Sequence, residues 1–303
     1  MTEMKKILFC GIDNAGKTSI LHVLKKNYSF LNKLKPTKGI ERSKSKILEI
    51  DFVLWDLGGQ EQYISDYFDK KEHIFTELSL LFFIVDIQDE IRFDGVINYF
   101  ERIISVLREY DQSPNIVIFL HKIDPDIEHT KNVKLFTNDI NKKLTKLADG
   151  FNIAFFPTSI FKRWSIISAF SYGIRALSEK ESIIKLSDYL EVWTEYFGAN
   201  SILLMSSDDV VVGEFSIDKT SITTLSQYID ELRKIYSVSQ KPVILRMNGD
   251  LLTLSPLDIG KLSLFLIKYT NNPEITEEHF TDAIQIQNRE ELENLLLNFF
   301  QKV

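Results

Sequence analysis

The sequence has few of the features that mark exported or membrane-spanning proteins. It contains a single cysteine, Cys10, so it cannot form an internal disulfide. The longest apolar run, Leu80 to Val85, is far shorter than the about 20 residues that cross a bilayer. No signal peptide precedes the first apolar run, and residue 2 is Thr2 rather than the glycine that myristoylation requires. Together these absences predict a cytoplasmic protein without an integral membrane segment.

Charge is distributed unevenly along the chain. Residues 1–180 carry 26 basic and 24 acidic side chains, whereas residues 181–303 carry 10 and 19, which predicts a domain boundary near residue 180. One stretch has a single acidic residue, Glu41, and lacks aromatic interleaving of the kind found in nucleic-acid-binding segments; its basic residues are Lys25, Lys26, Lys33, Lys35, Lys38, Arg42, Lys44 and Lys46. A solvated face is favoured over an acidic partner or a membrane surface, and nucleic acid is not indicated.

A glycine-containing loop, Gly11-Ile12-Asp13-Asn14-Ala15-Gly16-Lys17-Thr18, follows a predicted strand and opens a predicted helix. Backbone N–H groups in such a loop, beside a helix N-terminus, bind polyphosphates. Lys17 adds a positive charge for the β- and γ-phosphates, and the Thr18 hydroxyl is placed to ligate Mg²⁺. The predicted phosphate-binding residues are Asp13, Asn14, Ala15, Gly16, Lys17, Thr18 and Ser19.

Two predicted strands without an intervening helix come next, and they predict a hairpin that brings Thr37 and Asp56 to one end of a sheet. Thr37 would ligate Mg²⁺ and bond the γ-phosphate, Asp56 would hold the metal through water, and the Gly59 N–H would meet a γ-oxygen. Gln60 follows directly and suits the orientation of an attacking water. The predicted catalytic residues are therefore Lys17, Thr37 and Gln60.

A base-recognition site is predicted where two later strands end. Asp124 can accept from guanine N1–H and the exocyclic amine, an arrangement that adenine does not offer. Lys122 would lay its stem over the purine, and Ser159 with the Ile160 N–H would close over the guanine oxygen. The alternation of strands and helices predicts an α/β fold with a mostly parallel, doubly wound sheet.

These motifs together resemble the Ras-superfamily small GTPases over residues 5 to about 178. The loop and the Gly58-Gly59-Gln60 triplet are similar to those of Arf proteins, without the amphipathic N-terminal extension of that family. His121 stands where the superfamily usually has asparagine, and His121-Lys122-Ile123-Asp124 resembles the Rag/Gtr family, as does Thr158-Ser159-Ile160-Phe161. The order of elements after residue 180 resembles the roadblock/longin fold of the Rag/Gtr proteins.

The resemblance implies a GTPase domain at 1–180, a smaller α/β roadblock/longin-like dimerisation domain at 181–303, and binding of GTP or GDP with Mg²⁺. It implies a switch with slow intrinsic hydrolysis, and His121 as a nucleotide-binding residue in place of the asparagine. No arginine lies in a motif from which it would act as a finger in cis, so we expect stimulation by a GTPase-activating protein, and nucleotide exchange by an exchange factor. We also expect a homodimer or heterodimer through the C-terminal domain, with membrane recruitment only through partners.

Two other functions stay open at this point. One is a non-hydrolysing scaffold that binds nucleotide only to stay folded, against which the retention of Gln60 and Thr37 argues. The other is an Arf-like trafficking GTPase that acts on membranes, for which the sequence offers no acylation site.

Overall fold

A computed structural model describes residues 4–25, 37–48, 50–259, 262–281 and 292–296. Part of the predicted basic stretch, including Lys26, Lys33 and Lys35, lies outside the described residues, as does much of the predicted helix at the C-terminus. The chain divides into two compact units, residues 1–46 with 50–177 and residues 47–49 with 178–303.

The first unit contains a six-stranded sheet with the order β2-β3-β1-β4-β5-β6. Every pairing that links β3, β1, β4, β5 and β6 is parallel, and β2 lies beside β3. The strands are β1 (Lys5–Cys10), β2 (Ile40–Ile47), β3 (Ile50–Leu57), β4 (Leu78–Asp86), β5 (Asn115–His121) and β6 (Ile153–Pro157). The predicted mostly parallel sheet is confirmed.

Six helices lie in the described part of this unit, and a 3-10 turn at Glu90–Arg92 leads into the fourth. They are α1 (Lys17–Leu24), α2 (Glu61–Asp69), α3 (Lys71–Phe75), α4 (Phe93–Glu109), α5 (Lys131–Leu147) and α6 (Arg163–Arg175). Among the helices of the described part of the chain, none combines the length and apolar character needed to cross a membrane.

The central strands explain why the apolar runs are continuous rather than alternating. All of β4 except Ser79 is buried, as expected for a parallel strand covered on both faces. Phe82 on this strand packs against Phe9, Phe119 and Phe170, with ring centroids 4.7 to 5.4 Å apart. Cys10 is fully buried, and burial raises the pKa of its thiol, which keeps it protonated.

The phosphate loop lies at the point where the order of the strands in the sheet reverses. β1 lies between β3 and β4, and the later strands continue outward from β4, whereas β2 lies on the other side, beyond β3. The loop after Cys10 therefore begins at the strand from which the sheet extends in both directions. Ligands of doubly wound sheets bind in the crevice at this point, outside the carboxyl ends of the strands.

The second unit contains a five-stranded antiparallel sheet with the order β8-β7-β11-β10-β9. Asn248 and Gly249, both with positive φ, form the predicted tight turn between β9 and β10. The elements are α7 (Lys180–Phe197), β7 (Ser201–Ser206), β8 (Val211–Ser216), α8 (Lys219–Ser239), β9 (Val243–Met247), β10 (Asp250–Ile259), β11 (Leu262–Thr270) and α9 (Glu277–Thr281).

The predicted order of one helix, two strands, one helix and three strands is confirmed in this unit. The sequence did not predict α9, and it placed the end of β10 five residues too early, at Leu254. The extra length of β10 is matched by β11, with which it pairs in register from Leu251 to Ile259. Residues 292–296 are helical, in agreement with the predicted helical tail.

Candidate functional site

The phosphate loop closes against the strand that ends in His121. Gly16 has φ +96°, and a Cβ built at this position would lie 2.5 Å from His121 Cδ2. Asn14, also in the loop, has a positive φ of 57°. Glycine is therefore required at residue 16 both by the backbone conformation and by the close approach of the imidazole. Ser19 lies in the first turn of α1, two residues after the start of the helix.

Lys17 is folded into the loop that precedes it. Its Nζ donates to the carbonyl oxygens of Gly11 and Ile12, both at 2.9 Å, and the residue is only 6% exposed. Burial lowers the pKa of Lys17, and the nearby Asp56 carboxylate opposes this shift. The ammonium is thus held at the mouth of the loop, where anionic oxygens would stabilise its charge.

Three oxygen-bearing side chains from separate segments meet beside the loop. Thr18 Oγ1 lies 3.0 Å from Thr37 Oγ1 and 2.9 Å from Asp56 Oδ2, while Thr37 Oγ1 lies 3.3 Å from the same carboxylate oxygen. The predicted hairpin does bring Thr37 and Asp56 to one end of the sheet. Two hydroxyls and a carboxylate form the oxygen-only donor set that Mg²⁺ prefers.

The Asp56 carboxylate fits a divalent cation in two further respects. Its Oδ1 atom is buried without a hydrogen-bond partner. Burial raises the pKa of Asp56, although Lys17 and the hydroxyl of Thr18 counteract the shift. A cation beside this carboxylate would satisfy the unpartnered oxygen and favour the ionised form.

Tyr67, a residue that the sequence analysis did not single out, hydrogen-bonds to both of the segments that carry Thr37 and Gly59. Tyr67, 3% exposed, directs its hydroxyl at the carbonyl oxygens of Gly39 at 2.8 Å and Gly58 at 3.1 Å. The Gly58 N–H also donates to Gly39 O at 2.8 Å. Tyr67 therefore belongs to the framework that positions both segments.

Gly59 lies directly on the phosphate loop. Its carbonyl oxygen accepts from the Asp13 N–H at 2.8 Å, and a Cβ at this position would lie 2.2 Å from the Asp13 nitrogen. Only glycine allows this approach. Gln60 follows as the residue before α2, half-buried, and its Oε1 accepts from Gln62 Nε2 at 3.2 Å.

Asp124 and Ser159 meet at the other end of the site. Ser159 Oγ donates to Asp124 Oδ1 at 2.5 Å and accepts from the Phe161 N–H at 3.1 Å, so the turn carrying Ile160 is fixed around the serine. Gln88, which the sequence did not single out, contacts Asp124 Oδ2 at 3.4 Å and donates to Lys122 O at 2.8 Å. The carboxylate is thus oriented from two sides.

Lys122 has a second contact that the sequence did not predict. Its Nζ lies 2.7 Å from Asp86 Oδ2, at the end of β4, and Lys122 adopts a positive φ of 63°. The buried carboxylate fixes the ammonium, so the stem of Lys122 is held in place at the end of β5.

His121 is 2% exposed and lies between the phosphate loop and the base-recognition turn. Its Nδ1 lies 3.0 Å from Thr158 Oγ1, and its other edge faces Gly16. Burial, followed by the charge of Lys122, lowers the pKa of His121 to about 4, against the opposing effects of Asp124 and Thr158. The imidazole is therefore neutral at physiological pH, so it acts as an uncharged hydrogen-bonding group.

Arg92 also touches the loop. Its Nη1 lies 2.6 Å from Asp13 Oδ1, and its Nε donates to Asp89 Oδ2 at 2.6 Å. Arg92 and Asp13 are 79 residues apart in the sequence, and no motif links them. The predicted metal-binding residues contact one another, and the contact of Gly16 with His121 links the phosphate loop to the end of β5, beyond which Asp124 lies.

Comparisons with known proteins match most of the chain. The family described as the Gtr1/RagA G protein conserved region matches residues 6–232. GTP-binding protein GTR1 of Saccharomyces cerevisiae is 33% identical over 176 residues, which cover 54% of this chain and 56% of that protein. GTP-binding protein gtr2 of Schizosaccharomyces pombe is 29% identical over 260 residues, covering 77% of this chain and 75% of that protein.

A solved structure of the Arl6 BBS3 small GTPase from Trypanosoma brucei, with bound GppNp, aligns with 58% of this chain and 98% of its own chain. Its TM-score is 0.47 and its sequence identity 19%. The alignment with the Saccharomyces relative spans little more than half the length of that protein. Because the family region extends over about three quarters of the sequence, the chain belongs to the Gtr1/RagA G protein family.

Proposed function

We propose that this protein binds GTP and GDP and hydrolyses GTP to GDP as a slow nucleotide switch. The observation that carries the proposal is the convergence of Thr18, Thr37 and Asp56, from three separate segments, beside Lys17. Asp124 with Ser159 supplies the guanine-recognising end of the site. The names of the Saccharomyces and Schizosaccharomyces relatives, both GTP-binding proteins, support the choice of nucleotide.

Hydrolysis is in-line attack of a water oxygen on the γ-phosphorus. The new P–O bond forms as the bond to the β-phosphate oxygen breaks, which releases GDP and inorganic phosphate. Lys17 offsets negative charge on the β- and γ-phosphates, and Gln60 orients the water through its amide. Thr18, Thr37 and Asp56 would hold Mg²⁺, which when bound neutralises charge on the phosphate oxygens.

Intrinsic turnover is slow in this proposal because Arg92, which contacts the phosphate loop, is already engaged by Asp13 and Asp89. A GTPase-activating partner then supplies the arginine that stabilises the transition state. An exchange factor replaces the GDP that remains bound after hydrolysis.

The test is the mass of the nucleotide that co-purifies with the full chain, followed by single-turnover hydrolysis of GTP. We expect guanine nucleotide, and slow hydrolysis that Gln60→Leu reduces by about tenfold or more without loss of GTP binding. Gln227→Leu, an exposed glutamine of α8 in the second unit, is the matched control and should hydrolyse at the wild-type rate. Bound GTP that is never hydrolysed would instead support a nucleotide-bound scaffold, and absence of guanine nucleotide binding would refute the proposal.

We further propose that the chain acts in the cytoplasm as a homodimer or heterodimer, paired through a roadblock/longin-like domain at residues 181–303. In the five-stranded sheet, β8 and β9 are the outermost strands, the position at which a strand of a partner can add. On α7, Ile184, Val192 and Tyr196 lie on one side of the helix and are 59 to 61% exposed. Partners would also bring the protein to membrane surfaces.

The oligomeric state tests this part of the proposal. Light scattering coupled to gel filtration at micromolar concentration should give twice the chain mass, either alone or after addition of a related partner chain. A monomer under both conditions would contradict pairing. The nucleotide-binding experiment is independent of this result.

A further inference from the structure

Arg92 joins the phosphate loop to the start of α4 through two carboxylates. Its Nη1 lies 2.6 Å from Asp13 Oδ1, while Nε and Nη2 each lie 2.6 Å from Asp89 Oδ2. Because Asp89 is only three residues away, it holds the guanidinium from one side and leaves Nη1 directed at the loop. The geometry is therefore set by Asp89, and Asp13 receives the remaining N–H donor.

The pair is too exposed to matter for folding. The side chains of Arg92 and Asp13 are 33% and 53% exposed, and ion pairs with this exposure contribute little to stability because water and salt screen them. Its importance must come from its position. Asp13 belongs to the loop that would surround the phosphates, and its own N–H contacts Gly59.

A carboxylate at residue 13 opposes the function proposed for this loop. A triphosphate is strongly anionic, and an uncompensated negative charge in the loop would repel it, most strongly at the γ-phosphate. Asp13 directly follows Ile12, whose carbonyl oxygen accepts from Lys17 Nζ at 2.9 Å. Its carboxylate is therefore carried by the segment that contacts the group that would hold the β- and γ-phosphates.

We propose that Arg92 is a positioning residue for GTP, which neutralises Asp13 and so keeps the phosphate loop receptive to the γ-phosphate. This inference rests on the proposed nucleotide-binding function. It predicts that loss of Arg92 weakens GTP more than GDP, because GTP carries the additional phosphate. It also predicts that removing the charge of Asp13 makes Arg92 dispensable.

The experiment is a double-mutant cycle on the full chain, with dissociation constants for fluorescent GTP and GDP analogues measured in the presence of Mg²⁺. We expect Arg92→Gln to weaken GTP binding by about tenfold and GDP binding by less. Asp13→Asn should bind GTP at least as tightly as the wild type. The double variant Arg92→Gln/Asp13→Asn should return to within about twofold of the wild type, because no charge is left to neutralise.

The control is Arg108→Gln, at the far end of α4, where the guanidinium contacts the carbonyl oxygens of Leu147 and Asp149. It should leave both affinities unchanged. If Arg92→Gln binds like the wild type, or if the double variant is as weak as Arg92→Gln alone, the inference is wrong. Failure of the wild type to bind GTP would refute the proposed function instead, so the two failures are distinguishable.

Discussion

The Tyr67 hydroxyl lies 2.8 Å from the carbonyl oxygen of Gly39, on the segment that carries Thr37. The same hydroxyl lies 3.1 Å from Gly58 O, next to Gly59. One buried hydroxyl thus bonds both segments that would contact a γ-phosphate. GDP, which lacks that phosphate, should gain less from this connection than GTP.

Tyr67→Phe should therefore reduce the preference for GTP over GDP. A buried hydrogen bond contributes about 1 kcal/mol, so the ratio of the two affinities should fall by about fivefold. Competition between fluorescent GTP and unlabelled GDP measures the ratio. Tyr63→Phe, on the same helix α2, is the control, and an unchanged ratio in both variants would show that Tyr67 has no role in nucleotide discrimination.

Replacement of Thr18 should separate metal binding from packing. Thr18→Val keeps the shape but removes the hydroxyl that contacts Asp56, and we expect at least about tenfold weaker binding of GTP with Mg²⁺. Thr18→Ser keeps the hydroxyl and should stay close to the wild type. Titration of Mg²⁺ at fixed nucleotide concentration provides the measurement. Chelation of Mg²⁺ should speed nucleotide release from the wild type and have less effect on Thr18→Val.

Asp124→Asn should change the preferred base. The carboxylate would accept hydrogen bonds from guanine, whereas an asparagine amide would present a donor that suits the carbonyl of xanthine at the position of the guanine amine. We expect GTP affinity to fall by at least about 100-fold while xanthosine triphosphate becomes the better ligand. Asp126→Asn, an exposed carboxylate two residues away, is the control. If Asp124→Asn lowered the affinities for GTP and xanthosine triphosphate by the same factor, base recognition by Asp124 would be contradicted.

His121 should make stability depend on pH in the mildly acidic range. The unfolded chain takes up a proton on this residue below about pH 6.5, but the folded chain does so only near pH 4. The free energy of unfolding should fall as pH decreases through this window, by up to about 3 kcal/mol from this residue. Hydrogen exchange of β5 amides in urea at pH 7 and pH 4.5 should show a larger loss for the wild type than for His121→Asn.

The sequence predicted the fold well wherever local pattern determines structure. The apolar run at Leu80 to Val85 could only be a strand buried on both faces, and Asn248-Gly249 fixed a tight turn between two alternating segments. Element ends were less certain because the last residues of a strand depend on its neighbour. β10 extends to Ile259 because it pairs with β11 over this length, and no local sequence pattern predicts that pairing.

In the candidate site, the sequence predicted residues that belong to short motifs and did not predict the residues that contact them. Thr18, Asp56 and Asp124 stand in recognisable spacings next to predicted strands. Tyr67 and Arg92 do not, because their partners are brought close only by the folded sheet.

The contact between Gly16 and His121 means that a substitution in the phosphate loop should also affect the residues predicted to recognise the base. Because the imidazole fills the space where a Cβ would be, any larger residue at position 16 must displace the His121 imidazole, three residues before Asp124. A substitution in the phosphate loop should then also reduce the preference for guanine over adenine nucleotides. We therefore expect base selectivity and phosphate affinity to change together when position 16 is substituted.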